Sequence, residues 1–326
     1  MVKAFVTGAT GFVGSAVVRA LLQRGIAAKI LVRSASNLSN VAGLDVEFCV
    51  GDLLDEDSLV DRLRGCSLLF HVAAFYSTAE SDGQRMYETN VGGTKTVMAA
   101  ALRAGVERAV HTSTIGTVGQ PAGGRLATEQ DEFTGWKSAS PYAKSKLLSE
   151  MVAIAAARSG LDVVVVNPCA PVGPRDIGPS STGQRILDAL HGHEPSFLRG
   201  GINFVPVQDV AEGHVLAAER GRSGERYILG HAEGNLQLAD FLQIVARVAK
   251  RPGIAQGTRN GWRAFLSPWR RLTSIWRLRD VPVKDMRPAA LTCDPARAIH
   301  ELGMPQTSLD LALGQAIDWF REHGYI

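Results

Sequence analysis

Over its first half the chain alternates short apolar runs with longer amphipathic stretches, a pattern that predicts strands and helices taking turns. Strands are expected at 4–6, 28–32, 46–50, 68–74, 109–114 and 161–167, and helices at 12–23, 57–63, 84–104 and 141–159. The run Val163-Val164-Val165-Val166 is β-branched without a polar interruption, as in a central strand covered on both faces. Strands separated by helices pair in parallel, so the expected fold class is α/β, a doubly wound parallel sheet. After Pro168 the alternation stops, and Pro171, Gly173, Pro174, Gly178, Pro179 and Gly183 crowd a loop-rich stretch. Short strands at 203–207 and 226–229, with a helix at 210–220 between them, are expected to return to the main sheet. The segment 309–323 reads as a closing helix stopped by Gly324. The expected organisation is a main domain over 1–170 and a smaller, loop-rich region over 171–326, with segments near 203–230 rejoining the first.

With 326 residues, 45% of them hydrophobic and 21% charged, the chain can bury a large core and lacks the composition of a disordered one. No cationic stretch followed by an apolar one precedes the first strand, and no apolar run nears the roughly 20 residues that cross a bilayer, so a cytoplasmic location is expected. Cys49, Cys66, Cys169 and Cys293 are scattered without a C-x-x-C spacing; they read as small apolar residues in a reducing compartment, and neither a metal nor a disulfide is expected. The net charge of +3 is uneven, because 251–290 holds nine Lys or Arg against two Asp and leaves the rest of the chain net negative. That segment also carries Trp262, Phe265, Trp269 and Trp276. A solvated face over a substrate pocket is favoured there over contact with an anionic membrane, because Pro268 and Pro282 interrupt the stretch. No recognition motif accompanies the charge, so nucleic acid is not an expected partner.

Candidate chemistry first appears directly after the first strand, where Thr7-Gly8-Ala9-Thr10-Gly11-Phe12-Val13-Gly14 opens a helix. A turn of this kind must bend sharply, admit a ligand close to the backbone and leave helical N–H groups for a pyrophosphate, demands that glycine meets because it has no Cβ. Gly8, Gly11, Phe12, Val13 and Gly14 are therefore the expected cradle of a dinucleotide. About 20 residues on, where an acidic residue would accept from the ribose hydroxyls of NAD, stands Arg33. A guanidinium pairs with a 2′-phosphate and stacks on adenine, so NADP is favoured, with NAD left open. Asp52 beside Leu53 is placed to accept from the adenine amino group, and Ala73 and Ala74 are small enough to let the cofactor lie across the fourth strand. Thr112 and Asn167 are also assigned to the cofactor.

The second site is Ser140-Pro141-Tyr142-Ala143-Lys144-Ser145-Lys146. Ser140 suits an N-cap and Pro141 the first helical position, which puts Tyr142 and Lys146 on one face, four residues apart. The ammonium, the helix N-terminus and a positive nicotinamide would together lower the Tyr142 phenol from its usual value of about 10 toward working pH, making it a proton donor to a carbonyl or an acceptor from an alcohol. The strand end His111-Thr112-Ser113-Thr114 supplies hydroxyls, Ser113 or Thr114, to orient the substrate oxygen.

These residues resemble the extended short-chain dehydrogenase/reductase family, which includes nucleotide-sugar epimerases and dehydratases, dihydroflavonol reductases and hydroxysteroid dehydrogenases. Residues 7–14 are similar to its TGxxGxxG, Asn90-Val91-Gly92-Gly93-Thr94 to its NVxGT, and Tyr142 with Lys146 to its YxxxK. The resemblance implies a Rossmann fold. It selects Thr114, five residues before Gly119, as the catalytic hydroxyl where many members have serine. It also implies that Asn90 and Pro168 line the nicotinamide side, and that helices 84–104 and 141–159 form the four-helix interface of a homodimer. The chain is most similar to the hopanoid-associated sugar epimerase subgroup, through Asn167-Pro168, Gly173-Pro174-Arg175-Asp176-Ile177, the stretch 224–230 and Trp319-Phe320-Arg321. A sugar nucleotide would need cations for its diphosphate, for which Arg175, Arg185 and Arg199 are the candidates. Gln208, standing where the family often has arginine before Asp209-Val210-Ala211, weakens that reading.

The expected function is NAD(P)-dependent hydride transfer between nicotinamide and a secondary alcohol or ketone of a small molecule, with Thr114, Tyr142 and Lys146 catalytic. A sugar-nucleotide epimerase or dehydratase is the alternative enzyme. A non-catalytic dinucleotide sensor is the alternative of another class, and it would have no need of Tyr142 and Lys146.

Overall fold

The computed structural model describes residues 2–77, 79–255 and 290–326. Most of the basic, Trp-bearing stretch, from 256 to 289, lies outside the described residues. The first half runs β1 (Lys3–Thr7), α1 (Phe12–Gln23), β2 (Ala27–Val32), β3 (Val46–Val50), α2 (Glu56–Leu63), β4 (Leu68–His71), α3 (Gly83–Tyr87), α4 (Gly93–Ala104), β5 (Arg108–Thr112), α5 (Pro141–Arg158) and β6 (Asp162–Pro168). The second half adds β7 (Ala170–Val172), α6 (Ser181–Leu190), β8 (Ile202–Pro206), α7 (Val207–Arg220), β9 (Arg226–Leu229), β10 (Asn235–Leu236), α8 (Leu238–Val248) and α9 (Leu309–Glu322). Among the described residues no helix is long and apolar enough to cross a membrane.

Seven parallel strands form the main sheet in the order β3-β2-β1-β4-β5-β6-β9. The order reverses between β1 and β4, which leaves a crevice at their carboxyl ends where ligands bind in such sheets. Successive strand residues point to opposite faces, and each face has its own core. Val6, Val164 and Val166 pack with Val17 and Leu21 of α1 and Val215 of α7. Phe5, Val163 and Val165 pack with Leu59 of α2, Val97 of α4 and Ala153 of α5.

Four expectations differ from the structure. The fourth strand ends at His71 rather than Ala74, and the helix expected over 84–104 is interrupted by a π-helical turn at Glu88–Gly92. The stretch read as loop-rich contains β7 and the start of α6; Ser180 caps that helix, its Oγ accepting from Gly183 N at 3.2 Å. Gly183 is small there because a Cβ would run into the Asp176 carboxylate, a packing demand rather than a loop signal. Within 203–230, β9 pairs with β6 at the edge of the main sheet, whereas β8 lies between β7 and β10 in a second, three-stranded sheet. Phe204 of β8, Phe241 of α8 and Phe320 of α9 form the core of that smaller unit.

Candidate active site

β1 delivers the chain into the glycine turn at the crevice. Gly8 adopts φ +71°, and a methyl group there would lie 2.6 Å from Ala73 N, while one on Gly14 would strike the Gly8 carbonyl oxygen. α1 starts from Gly11 with no side-chain cap and no acidic residue in its first turn, which Phe12 and Val13 begin. Its first N–H groups and the positive end of its dipole are therefore left to a ligand. Glycine at 8 and 14 lets the turn close against Ala73 and onto itself, and the uncapped N–H groups it presents fit a dinucleotide pyrophosphate.

A buried hydrogen-bonded chain ties this turn to α5. Thr94 Oγ1 donates to Asn90 O at 2.6 Å, which uses its only proton. His71 Nε2, 3.0 Å from Thr94 Oγ1, is then the donor, and His71 Nδ1 accepts from Thr7 Oγ1 at 2.8 Å. Burial, helped by the nearby Lys146 charge, holds His71 down at about 3, so the ring is neutral at working pH. Asn90, in the π turn, accepts from Phe75 N at 2.7 Å and donates to Phe75 O and Ser145 Oγ at 3.0 and 2.9 Å. Ser145 Oγ donates in turn to Tyr142 O at 2.9 Å.

Ser140 caps α5 by accepting from Ala143 N at 3.2 Å, with Pro141 in the first turn. The half-buried Tyr142 ring meets Tyr76 edge-on, centroids 4.9 Å apart, and the Tyr76 hydroxyl lies 3.1 Å from Ser181 Oγ of α6. Lys146 is buried and donates to Thr112 O at 2.7 Å. Burial pulls this ammonium down to about 8, opposed by the Glu150 carboxylate. Among the chain's own groups, burial, aided by Tyr76, pushes the Tyr142 phenol up to about 12, and the Lys146 ammonium bonds Thr112 O. The lowering expected from the sequence counts the charge of a bound nicotinamide as well.

Of the two hydroxyls left open by the residues themselves, Ser113 is buried and donates to Glu150 Oε2 at 2.5 Å. Thr114 is partly exposed at the β5 exit, its Oγ1 accepting from Gly116 N at 3.2 Å. Thr112 Oγ1 lies 2.9 Å from His214 Nε2. Asn167 is fully buried, with Nδ2 within 3.2 Å of Thr114 O and 2.9 Å of Glu150 Oε2, and Pro168 ends β6 beside it.

The outer positions are looser. Arg33 is exposed where β2 ends, its N–H bonded to Ser36 Oγ, and its guanidinium has no partner among the described residues. Asp52 accepts from Leu54 N at 2.9 Å, Leu53 packs on Gly93, and Ala74 is exposed beyond Ala73. The three arginines considered for a diphosphate do not converge. Arg185 donates to Ser181 O and Ser196 O, both at 2.7 Å, and Arg175 lines a cavity of about 420 Å³ between α1 and α7 together with Arg19. Arg199 is exposed on the loop after α6. Sequence reasoning missed Glu150 and its partner Arg226, although Glu150 continues the Tyr142–Lys146 spacing by another four residues.

A family profile described as NAD dependent epimerase/dehydratase family matches residues 4–230. The chain belongs to that family. Epimerase/dehydratase-family relatives extend over nearly its whole length. A Synechocystis protein named as a dihydroflavonol 4-reductase is 39% identical over 99% of this chain and 95% of its own. Sterol demethylase protein B of Methylococcus capsulatus is 37% identical over 98% and 99%. The crystal structure of gox2253 superposes with a TM-score of 0.84, 37% identity and 99% coverage of both chains. Membership makes this an NAD(P)-dependent enzyme with a Rossmann-like fold.

Proposed function

We propose that the chain is an NADP(H)-dependent reductase that interconverts a ketone and a secondary alcohol on an apolar, ring-bearing small molecule. One observation carries the choice over a sugar nucleotide: the wall beside Tyr142 is the edge-on ring of Tyr76, while Arg185, the nearest diphosphate candidate, is spent on two backbone carbonyls. The names of the two full-length relatives, a flavonoid-type reductase and a sterol protein, agree with a flat apolar substrate.

A bound dinucleotide would supply or take the hydride. The backbone of Gly8, Gly11, Phe12, Val13 and Gly14 would hold its pyrophosphate, and Arg33 its 2′-phosphate. Asp52, Leu53, Ala73 and Ala74 would flank the adenosine, and Asn90, Thr112, Asn167 and Pro168 the nicotinamide side. Lys146 would hold the ribose hydroxyls. Thr114 Oγ1 orients the substrate oxygen, and the Tyr142 hydroxyl gives its proton to that oxygen as the carbonyl becomes an alcohol. A phenol that holds its proton at neutral pH suits the reductive direction, since reduction needs the protonated form.

The test is nicotinamide absorbance with NADPH and a panel of polycyclic and aromatic ketones set against nucleotide sugars. NADPH loss matched one to one by alcohol supports the proposal; turnover of a nucleotide sugar with no net absorbance change would refute it. We also infer a homodimer through α4 and α5, whose Leu102 and Met151 are 45% and 57% exposed. Sedimentation at a single monomer mass would count against it.

A further inference from the structure

We infer that Glu150 is the positioning residue of this site: it keeps Lys146 in its charged form and Thr114 at its station, with Arg226 as the opposing charge. The inference rests on the reading of Lys146 as the ammonium that holds the ribose. Glu150 follows Lys146 by one turn and Tyr142 by two on the inner side of α5, and both Glu150 and Lys146 are 2% exposed.

Its carboxylate gathers donors from three strand ends. Oε2 lies 2.5 Å from Ser113 Oγ, 2.7 Å from Thr117 Oγ1 and 2.9 Å from Asn167 Nδ2, and Oε1 accepts from Arg226 Nη1 at 3.1 Å. Asn167 Nδ2, with two protons, also reaches Thr114 O at 3.2 Å, and Thr117 Oγ1 lies 2.8 Å from that carbonyl, its single proton going to either the carbonyl or Oε2. Asn167 thereby bridges the Glu150 carboxylate and the backbone of Thr114. Arg226 is fixed in its turn by Glu129 O at 2.8 Å and Asp131 O at 3.0 Å.

A buried ion pair is weak evidence of stabilisation, because desolvating both charges costs about as much as their attraction contributes. This one is placed to act on its neighbour. The titratable and charged groups around Lys146 are Tyr142 and Glu150 on α5, His71 on β4, His111 on β5 and, behind the carboxylate, Arg226 on β9. His214 of α7 stands one residue further off, against Thr112. Burial holds all three histidines below their ordinary value, so they are neutral at working pH. Among the described residues Glu150 is the one anion whose field reaches Lys146. Arg226 pairs with the same carboxylate, so Glu150→Gln removes the anion and Arg226→Gln leaves it unopposed, and the two changes are expected to move Lys146 in opposite directions.

The experiment measures NADPH affinity by fluorescence from about pH 6 to 10 for the wild type, Glu150→Gln and Arg226→Gln, with Lys146→Met as the control that abolishes the limb. Melting temperatures are recorded for each. Glu150→Gln keeps the shape and an acceptor oxygen while removing the charge, and its alkaline limb is expected at lower pH. From a starting value of about 8, a shift of about one pH unit weakens binding about eightfold near pH 8.5 and little near pH 6.5. Arg226→Gln leaves the carboxylate unopposed, and the same shift upward strengthens binding about threefold near pH 8.5. A mere brace would weaken both variants by one factor at every pH.

Limbs that stay in place, or move the same way in both variants, overturn the inference. Should Glu150→Gln not fold, the alkaline shift of Arg226→Gln decides alone. Because the readout is binding, failure to reduce any ketone would count against the reductase reading and leave this assignment standing.

Discussion

Three glycine substitutions separate the two reasons the dinucleotide turn needs glycine. Gly8 combines a left-handed backbone, φ +71°, with a Cβ position 2.6 Å from Ala73 N. Gly25 has nearly the same φ, +70°, but nothing within 4 Å of its Cβ position. Gly14 has ordinary helical φ and a Cβ position blocked by the Gly8 carbonyl. The left-handed region costs an alanine about 1–2 kcal/mol, and forcing a methyl group into packed backbone a further 1–3 kcal/mol or so. After the gain from a stiffer unfolded chain, Gly25→Ala should lose about 1 kcal/mol and Gly8→Ala about 1.5–4 kcal/mol. At about 2–4 °C per kcal/mol, melting should fall by roughly 2–4 °C for Gly25→Ala and roughly 3–16 °C for Gly8→Ala. Gly14→Ala should lose about 0–2 kcal/mol, because its new helical alanine offsets about 1 kcal/mol of the clash. NADPH affinity should drop at least about tenfold for Gly8→Ala and Gly14→Ala, since the shifted turn fills the pyrophosphate space, and stay unchanged for Gly25→Ala. Scanning calorimetry and fluorescence titration give both quantities. If Gly8→Ala melts with Gly25→Ala and binds NADPH as the wild type does, the close approach of Ala73 does not constrain this turn and the argument fails.

Other outcomes follow from the same geometry. Tyr142→Phe should lower kcat by about 10²–10⁴ with little change in melting, because no described residue bonds its hydroxyl; unimpaired turnover would end the proton-donor assignment. Thr114→Ala should lower kcat, whereas Ser113→Ala should act on stability, by about 1–3 kcal/mol, through a donor lost to the buried Glu150; the reverse pattern would exchange their roles. Arg33→Ala should cost NADPH about ten- to a hundredfold in affinity and leave NADH unchanged, and an unaltered preference would remove the 2′-phosphate reading. Lys146 titrates lower folded, at about 8, than unfolded, at about 10.5, so the unfolded chain binds more protons between those values. Its contribution should therefore make stability rise with pH across that window, in urea titrations where Lys146→Met loses the rise.

Some features were legible because they are short-range. The glycine turn and the Tyr142–Lys146 pairing each lie within one turn or one helical face, and β1, α1, β3 and β9 fall where the apolar pattern put them. The stretch after Pro168 was misread because Gly183 looks the same in sequence whether it loosens a loop or clears room for Asp176 and Phe320 inside α6. β8 reads as a strand by pattern, yet pattern carries no partner, and it pairs with β7 and β10 in the smaller sheet.

By itself the sequence determined the α/β alternation, the glycine turn after β1 and the register of the tyrosine and lysine, since propensity, capping and helical spacing act over a few residues. The tertiary structure decided what those groups face. Lys146 is aimed at Thr112 O across 34 residues, Ser113 is claimed by Glu150 across 37, and Arg226 reaches Glu150 across 76. The charge on a buried group depends on its neighbours and its distance from water, and both are set only when distant strands and helices close on it. That is why burial against Tyr76 raises the Tyr142 phenol within the chain, and why the carboxylate beside Ser113, Thr117 and Asn167 was passed over in the sequence.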